Sequence, residues 1–406
     1  MMAPRPQGGK ELRGRRPRLL GIVAACALAA AGLATASAGT ASAQTNSIAG
    51  ILGQAGPNST AGPLAVIALT GLTCSSVTVN GNVAVAAGTF NSTYPNCVWN
   101  GTTYRSSGVT LAGNTFTATP PHLEPNVEDA LMTQIRDDAL AAQTTFRDLP
   151  PTPGMPANIT STTGTITGTR GLNVLNVGTV NPGNQTVTLT GPPGTQFVIN
   201  VSHDYTNTNG HIVLAGGVTE SDVVFNILPG ASVTLSNAGT DNNGIILDPT
   251  GSFQDNHAPL NGILIGATVT LTSGAIVTAG PKQIPTPTVG ILLQSGTSQS
   301  FTNTVSVGEP AHAAVWVVGG DPVGTVEFRY YDSGTACTAA VAAFNAGGAP
   351  SGGTQVGTPV AVPESLHVVS AAQTFSTPGT YYWAAFYSGN TTVNPSVSSC
   401  APLTVT

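Results

Sequence analysis

Basic side chains are what this chain has least of. Only 12 Lys and Arg occur in 406 residues, and six of them lie within the first 18 positions. Beyond residue 43 the chain holds six basic against seventeen acidic residues, a formal charge of −11, and Lys282 is its only lysine. A surface of that sign repels nucleic acid and anionic membranes, so neither is an expected partner. Aromatic residues make up 5% and charged residues 7% of the sequence, so hydroxyls and amides must clothe much of the surface. No G-x-S-x-G elbow, H-E-x-x-H, phosphate-binding loop or dinucleotide fingerprint occurs. No apolar run after the N-terminal region is long enough to span a bilayer. Cysteines are few and none sit in C-x-x-C, so neither a metal nor another cofactor is expected.

The N-terminal region reads as an export signal, residues 1–43. Arg13, Arg15, Arg16 and Arg18 form its basic start, residues 19–38 its apolar stretch, and Ala41-Ser42-Ala43 a small-x-small cleavage site. Export removes Cys26 and leaves Cys74, Cys97, Cys337 and Cys400. An oxidising destination allows disulfides, and the wide gap between the two pairs favours Cys74–Cys97 and Cys337–Cys400. The expected location is extracellular and surface-associated.

What remains is rich in Gly, Thr, Val, Asn and Ser. Asn126 to Leu149 stands apart as the one convincing helix: Leu131, Ile135, Ala139, Ala142, Phe146 and Leu149 recur at steps of three and four. Pro125 precedes it and Pro150-Pro151 stop it. Its apolar stripe needs a partner, and a β-surface is the only one on offer. Short strands separated by Gly, Asn, Asp and Pro surround it, among them Val77–Val85, Leu172–Val177, Thr186–Thr190, Gln196–Val201, Val223–Ile227 and Thr268–Leu271. Their spacing follows no fixed repeat. The predicted fold class is all-β dominated: an irregular right-handed β-helix, or solenoid, over residues 44–280 with one long flanking helix. Residues 281–299 read as a linker, and 300–406 as a disulfide-closed immunoglobulin-like sandwich whose core aromatic is Trp383.

Thr-x-Thr runs are the most promising surface feature. Thr165 and Thr167, then Thr186, Thr188 and Thr190, then Thr268, Thr270 and Thr272 would present evenly spaced hydroxyls and methyls if stacked on one solenoid face. Such a face suits ice or a crystalline polysaccharide. The plainer reading is that Thr favours strands and faces solvent. Asp222, Asp241, Asp248 and Asp255 are the carboxylates available for glycoside cleavage, but nothing in the sequence pairs them. Asp255 and His257 would share a face if extended there. Asp and Asn in turns are otherwise explained by local hydrogen bonds.

Residues about 60–280 resemble the choice-of-anchor A family of bacterial surface proteins, whose domain is also described as collagen-binding-like. The pieces that carry this are VTVNGNVAVAAG at 77–88, TQFVINV at 195–201, VVFNILPGASVTL at 223–235, NGIILDP at 243–249 and NGILIGATVTL at 261–271. Asn226 following Phe225 and Asp248 in an alanine position depart from the family pattern. The layout of strands, long helix and β-coils is also similar to the ice-binding family of irregular β-helices. Residues about 300–406 resemble actinobacterial immunoglobulin-like modules, through GTVEFRYY at 324–331, FSTPGTYYWAAFYSGN at 375–390 and the placing of Cys337 and Cys400. These resemblances imply a secreted, non-catalytic binding protein. Its expected ligand is an extracellular matrix such as collagen, a glycan or a cell envelope; ice binding through the Thr-rich face and carbohydrate cleavage are the alternatives.

Overall fold

The computed structural model describes residues 47–406 apart from 120, 238 and 297–299. The expected export signal lies outside the described residues. A short helix α1 (Ile48–Leu52) leads into strand Leu64–Cys74, from which parallel coils run outward to Asn126–Val127. Helix α2 (Asn114–Thr117) interrupts the last of these coils. Helix α3 (Asp129–Arg147) then carries the chain back along the flank, and a second series of coils runs from Ile159 to Thr278. The final coil, Pro259–Thr272, pairs in parallel with Leu64–Cys74, which pairs on its other side with Asn82–Val85 and Thr89–Ser92. The first strand therefore sits in the middle of the β-helix, closed in by the last. Val174, Val198, Val224, Ile245 and Ile263 stack in one column although the coils between them differ in length, which is why no repeat shows in the sequence.

Each coil has three faces. The long strands bend between the first and second face at register shifts, as at Ala68/Gly71, Val177/Thr179 and Asp248/Ser252. The first face is covered by α3 and α1. Met132, Ile135, Ala139, Ala142 and Phe146 of α3 are buried against Val174, Val198, Val224, Ile245 and Ile263. Burying each large apolar side chain contributes about 1.5–3 kcal/mol. The polar groups beneath the helix are also paired. Asn200 donates to the Phe146 carbonyl (2.9 Å) and Asn226 to the Gln143 carbonyl (3.0 Å). The Gln143 amide donates to the Ile227 carbonyl (2.7 Å). Asn226, Asn200 and Asn176 also bond one another along the coils, at 2.8 and 2.9 Å.

The expected helix over 126–149 is shorter, because Asn126 and Val127 join the sheet beside Tyr104 and Arg105. It is also not the only long one. Helix α4 (Gly334–Asn345), capped by Ser333 accepting from the Ala336 N–H, was missed because its alanine-rich run shows no apolar stripe. Part of the expected linker is a strand: Thr288–Ser295 pairs antiparallel with Pro310–Val318. The C-terminal region consists of two sheets whose inner faces share one core, with Val315 and Val317 on one side and Phe328, Trp383 and Tyr387 on the other. Phe386, on the opposite face of the Trp383 strand, is buried too, because α4 covers that face through Phe344. Both expected disulfides, Cys74–Cys97 and Cys337–Cys400, are formed.

Candidate functional site

The second face of the β-helix is the longest regular surface left uncovered by a helix. Nine parallel strand segments build it: 159–160, 179–181, 204–207, 232–236, 252–256, 268–272, 71–74, 89–92 and 110–112. At the spacing of adjacent strands this covers about 38 Å along the axis. Val180, Tyr205, Val233, Phe253, Val269, Leu72 and Phe90 occupy consecutive rungs and point inward as a buried stack. Their alternation aims the residues on either side outward.

Two outward files result. One runs Thr179, Asp204, Ser232, Ser252, Thr268, then past Gly71 to Thr89 and Thr110. Where Gly71 leaves a gap, the Thr70 hydroxyl lies 3.1 Å from that of Thr268. The other file includes Thr206, Thr234, Gln254, Thr270, Thr73 and Asn91. Asp204 is the one ionisable side chain among these outward residues, and its carboxylate accepts from the Ser232 hydroxyl at 2.6 Å. The surface is thus a lattice of hydroxyl, methyl and amide groups with a single carboxylate.

The eight threonines picked out by sequence do not share this surface. Thr268, Thr270 and Thr272 belong to it. Thr165 and Thr167 stack on Thr188 and Thr190, beside Thr186, on the third face, next to strand His211–Gly216. That face is less regular. Its sheet narrows to the single bridge His211–Asp241 before continuing as Pro259–Asn261 and Ala275–Thr278. Thr73, Thr89, Thr110, Thr206 and Thr234 were overlooked because they stand alone or beside Asn and Ser. The signal that finds them is pairing register, which one sequence does not display.

The candidate carboxylates are dispersed. Asp222 closes a capping box with Thr219 and accepts from the Gln283 amide at 3.2 Å. Burial pushes it above the usual carboxylate range. Asp241 lies 2.7 Å from the His211 ring nitrogen at an exposed turn. Asp248 sits at the bend between first and second faces, where burial raises its pKa to about 6. Asp255 points into the β-helix, between Leu235 and Leu271 in register, and burial raises it to about 7. His257 is exposed in a turn at φ 76°, so it does not share a face with Asp255 as expected. Among the described residues no cluster of three or more His, Cys, Asp or Glu is placed to hold a metal.

Several solved structures are similar to this chain over about half of its length. Three of them are ice-binding proteins from the Antarctic ascomycete Antarctomyces psychrotrophicus (19% identity, 56% of this chain and 97% of that one, TM-score 0.39), from an Antarctic biological consortium (21%, 56% and 90%, 0.39), and the ice-binding protein 1 domain of Shewanella frigidimarina (20%, 56% and 96%, 0.39). None of the curated protein sequences matches. The ice-binding-like family profile matches residues 65–277. That span begins in the first strand of the β-helix, ends in its last and takes in more than half of the sequence, so the chain belongs to the ice-binding-like family.

Proposed function

We propose that this is an exported ice-binding protein that adsorbs through the second face of its β-helix. The observation that carries the reading is the pair of outward files, which repeat at the inter-strand spacing over nine segments with a single charge among them. Methyls and hydroxyls held at fixed intervals order water in a lattice-like layer, and that layer merges with an ice surface. A face with only one carboxylate also largely avoids the strongly bound hydration shells that charged groups carry. Family membership and the sequence signal at residues 1–43 support the same reading. Matrix or envelope adhesion, the leading expectation from sequence, gives way to ice: no comparison supports collagen or a glycan for the β-helix. The four aspartates each sit in their own local contacts, which favours adsorption over carbohydrate cleavage. The C-terminal region, read as an immunoglobulin-like module, serves as a companion to the adsorbing domain.

The test replaces Thr270 or Thr234 by Tyr on the second face, with Thr188→Tyr on the third as control. Thermal hysteresis and retention on slowly grown ice are measured for each. Loss of a few neighbouring contacts lowers retention about tenfold for the second-face variants, with Thr188→Tyr unchanged. Equal activity in all three, or loss only in Thr188→Tyr, removes the second face as the adsorbing surface.

A further inference from the structure

The two sheets of the C-terminal region treat their outer faces differently. One hides its outer aromatics: Phe386 is buried against Phe344 of α4. The other leaves aromatics in the open. On its outer face Gly290, Trp316 and His367 lie side by side across three strands, with Leu292, Ala314 and Val369 in the next row. Phe301, paired with Gln294, points to the same side. The Trp316 ring is 4.7 Å from that of His367 and 6.0 Å from that of Phe301, tilted by 33° and 49°. Phe301 and Trp316 come this close by leaning across the single strand between them, 288–295, and Ala314 on the same face is fully buried. The outcome is a cluster of three rings on the sheet, in which His367 partly stacks on one face of Trp316, with Phe301 46% exposed and Trp316 partly exposed.

We propose that this cluster is a binding site for a neutral polysaccharide. The C–H face of a pyranose ring is apolar and slightly positive, and it stacks on the negative face of an aromatic ring. Strands 288–295, 310–318 and 367–369 contain no Asp, Glu, Lys or Arg, so the surface matches an uncharged ligand in electrostatics. The His312 ring, whose Nδ1 lies 3.2 Å from the Ser370 carbonyl, stands at its margin and adds polar character there. Beside Trp316 the sheet provides room, since a Cβ at Gly290 would meet nothing within 4 Å. An exposed apolar patch with such a polar margin is a contact surface rather than an ordinary solvent face.

Gly290 supplies a test that leaves the core untouched. The oxidised full chain is applied to microcrystalline cellulose, chitin and xylan, and its tryptophan fluorescence is titrated with cellohexaose and chitohexaose. The expected result is retention on at least one polymer, with a fluorescence change on adding its oligomer. Trp316→Ala, which removes the platform, and Gly290→Leu, which fills the space beside it, each weaken retention about tenfold, the effect of one lost ring contact. Retention on ice stays as in the parent chain, which separates this site from the β-helix face. No retention on any polymer, or retention unchanged by both variants, overturns the proposal. So does a parent chain that is dimeric where Trp316→Ala is monomeric, since a second copy would then be what covers the rings.

Discussion

Asp255 is a carboxyl inside an apolar stack. One of its oxygens accepts from the Ala258 N–H at 3.1 Å, and the other is buried without a hydrogen-bond partner. Burial raises its pKa from 3.8 to about 7, and Asp248 moves the same way, to about 6. Below the unfolded value both states hold the proton, and no charge is desolvated by folding. As pH rises between the two values, the folded state keeps a proton that the unfolded state has released, so stability falls. Above the folded pKa the loss is complete. Going from about pH 4 to about pH 8 the protein is expected to lose up to about 4 kcal/mol through Asp255. Asp255→Asn keeps the acceptor for Ala258 and abolishes the titration. Urea unfolding at several pH values is expected to give a flatter profile for the variant, which becomes the more stable protein at alkaline pH. Parallel profiles would show that Asp255 does not titrate in this range. Nothing in the local sequence marks this residue, because QDNHA reads as a turn and only register turns Asp255 inward.

Among the elements, α3 is held by more than its apolar stripe. Asn226 donates to the Gln143 carbonyl and to Asn200, which in turn donates to the Phe146 carbonyl. Removing a donor under a buried helix leaves its acceptors without a partner. Asn226→Ala is therefore expected to cost about 2–4 kcal/mol, measured as a lower urea midpoint. Thr234→Ala, on the open face, is expected to change stability by less than about 0.5 kcal/mol. A similar loss for both would mean that the asparagine row adds nothing special. The contrast also shows what was legible. The apolar positions Ile135, Ala139, Ala142 and Phe146 announced a helix on a β-surface, and period-two runs such as Thr186–Thr190 announced strands within a residue or two. The asparagines at 176, 200 and 226 fall inside the predicted strands, and nothing in the sequence marks them as a row beneath the helix, since their partners lie on other coils. Thr270 and Thr188 looked equivalent for the same reason: alternation says that a side chain points outward, but the coil's bends decide from which face. In α4 the signal was present in Ser333 and the alanines that follow, and the absence of an apolar stripe concealed it.

At the scale of the whole molecule the β-helix is assembled out of order. Leu64–Cys74 needs Pro259–Thr272 on one side and Asn82–Val85 with Thr89–Ser92 on the other. Parallel coils built after α3 grow back toward a strand synthesised nearly two hundred residues earlier. Until the last coil arrives, two open strand edges face each other with Ile67, Leu72, Leu264 and Val269 waiting to be buried. Such edges template pairing between chains. The lock after the final coil is local: Gln283 accepts from the Ala49 N–H at 3.0 Å and donates to the Ser221 carbonyl at 2.9 Å, tying the exit of the β-helix to α1. Two truncations separate the contributions. A chain ending at Thr286 keeps the last coil and the Gln283 contacts. It is expected to unfold in one cooperative transition and to remain on ice, because the second face is complete. A chain ending at Asn256 lacks only one further coil, yet it leaves the seam open, and it is expected to aggregate on refolding and show no cooperative transition. If the shorter chain folded cooperatively and stayed soluble, the strands before α3 and the coils after it would be separable stacks, and the parallel seam between Leu64–Cys74 and Pro259–Thr272 would be a contact between them instead of the closure on which the fold depends.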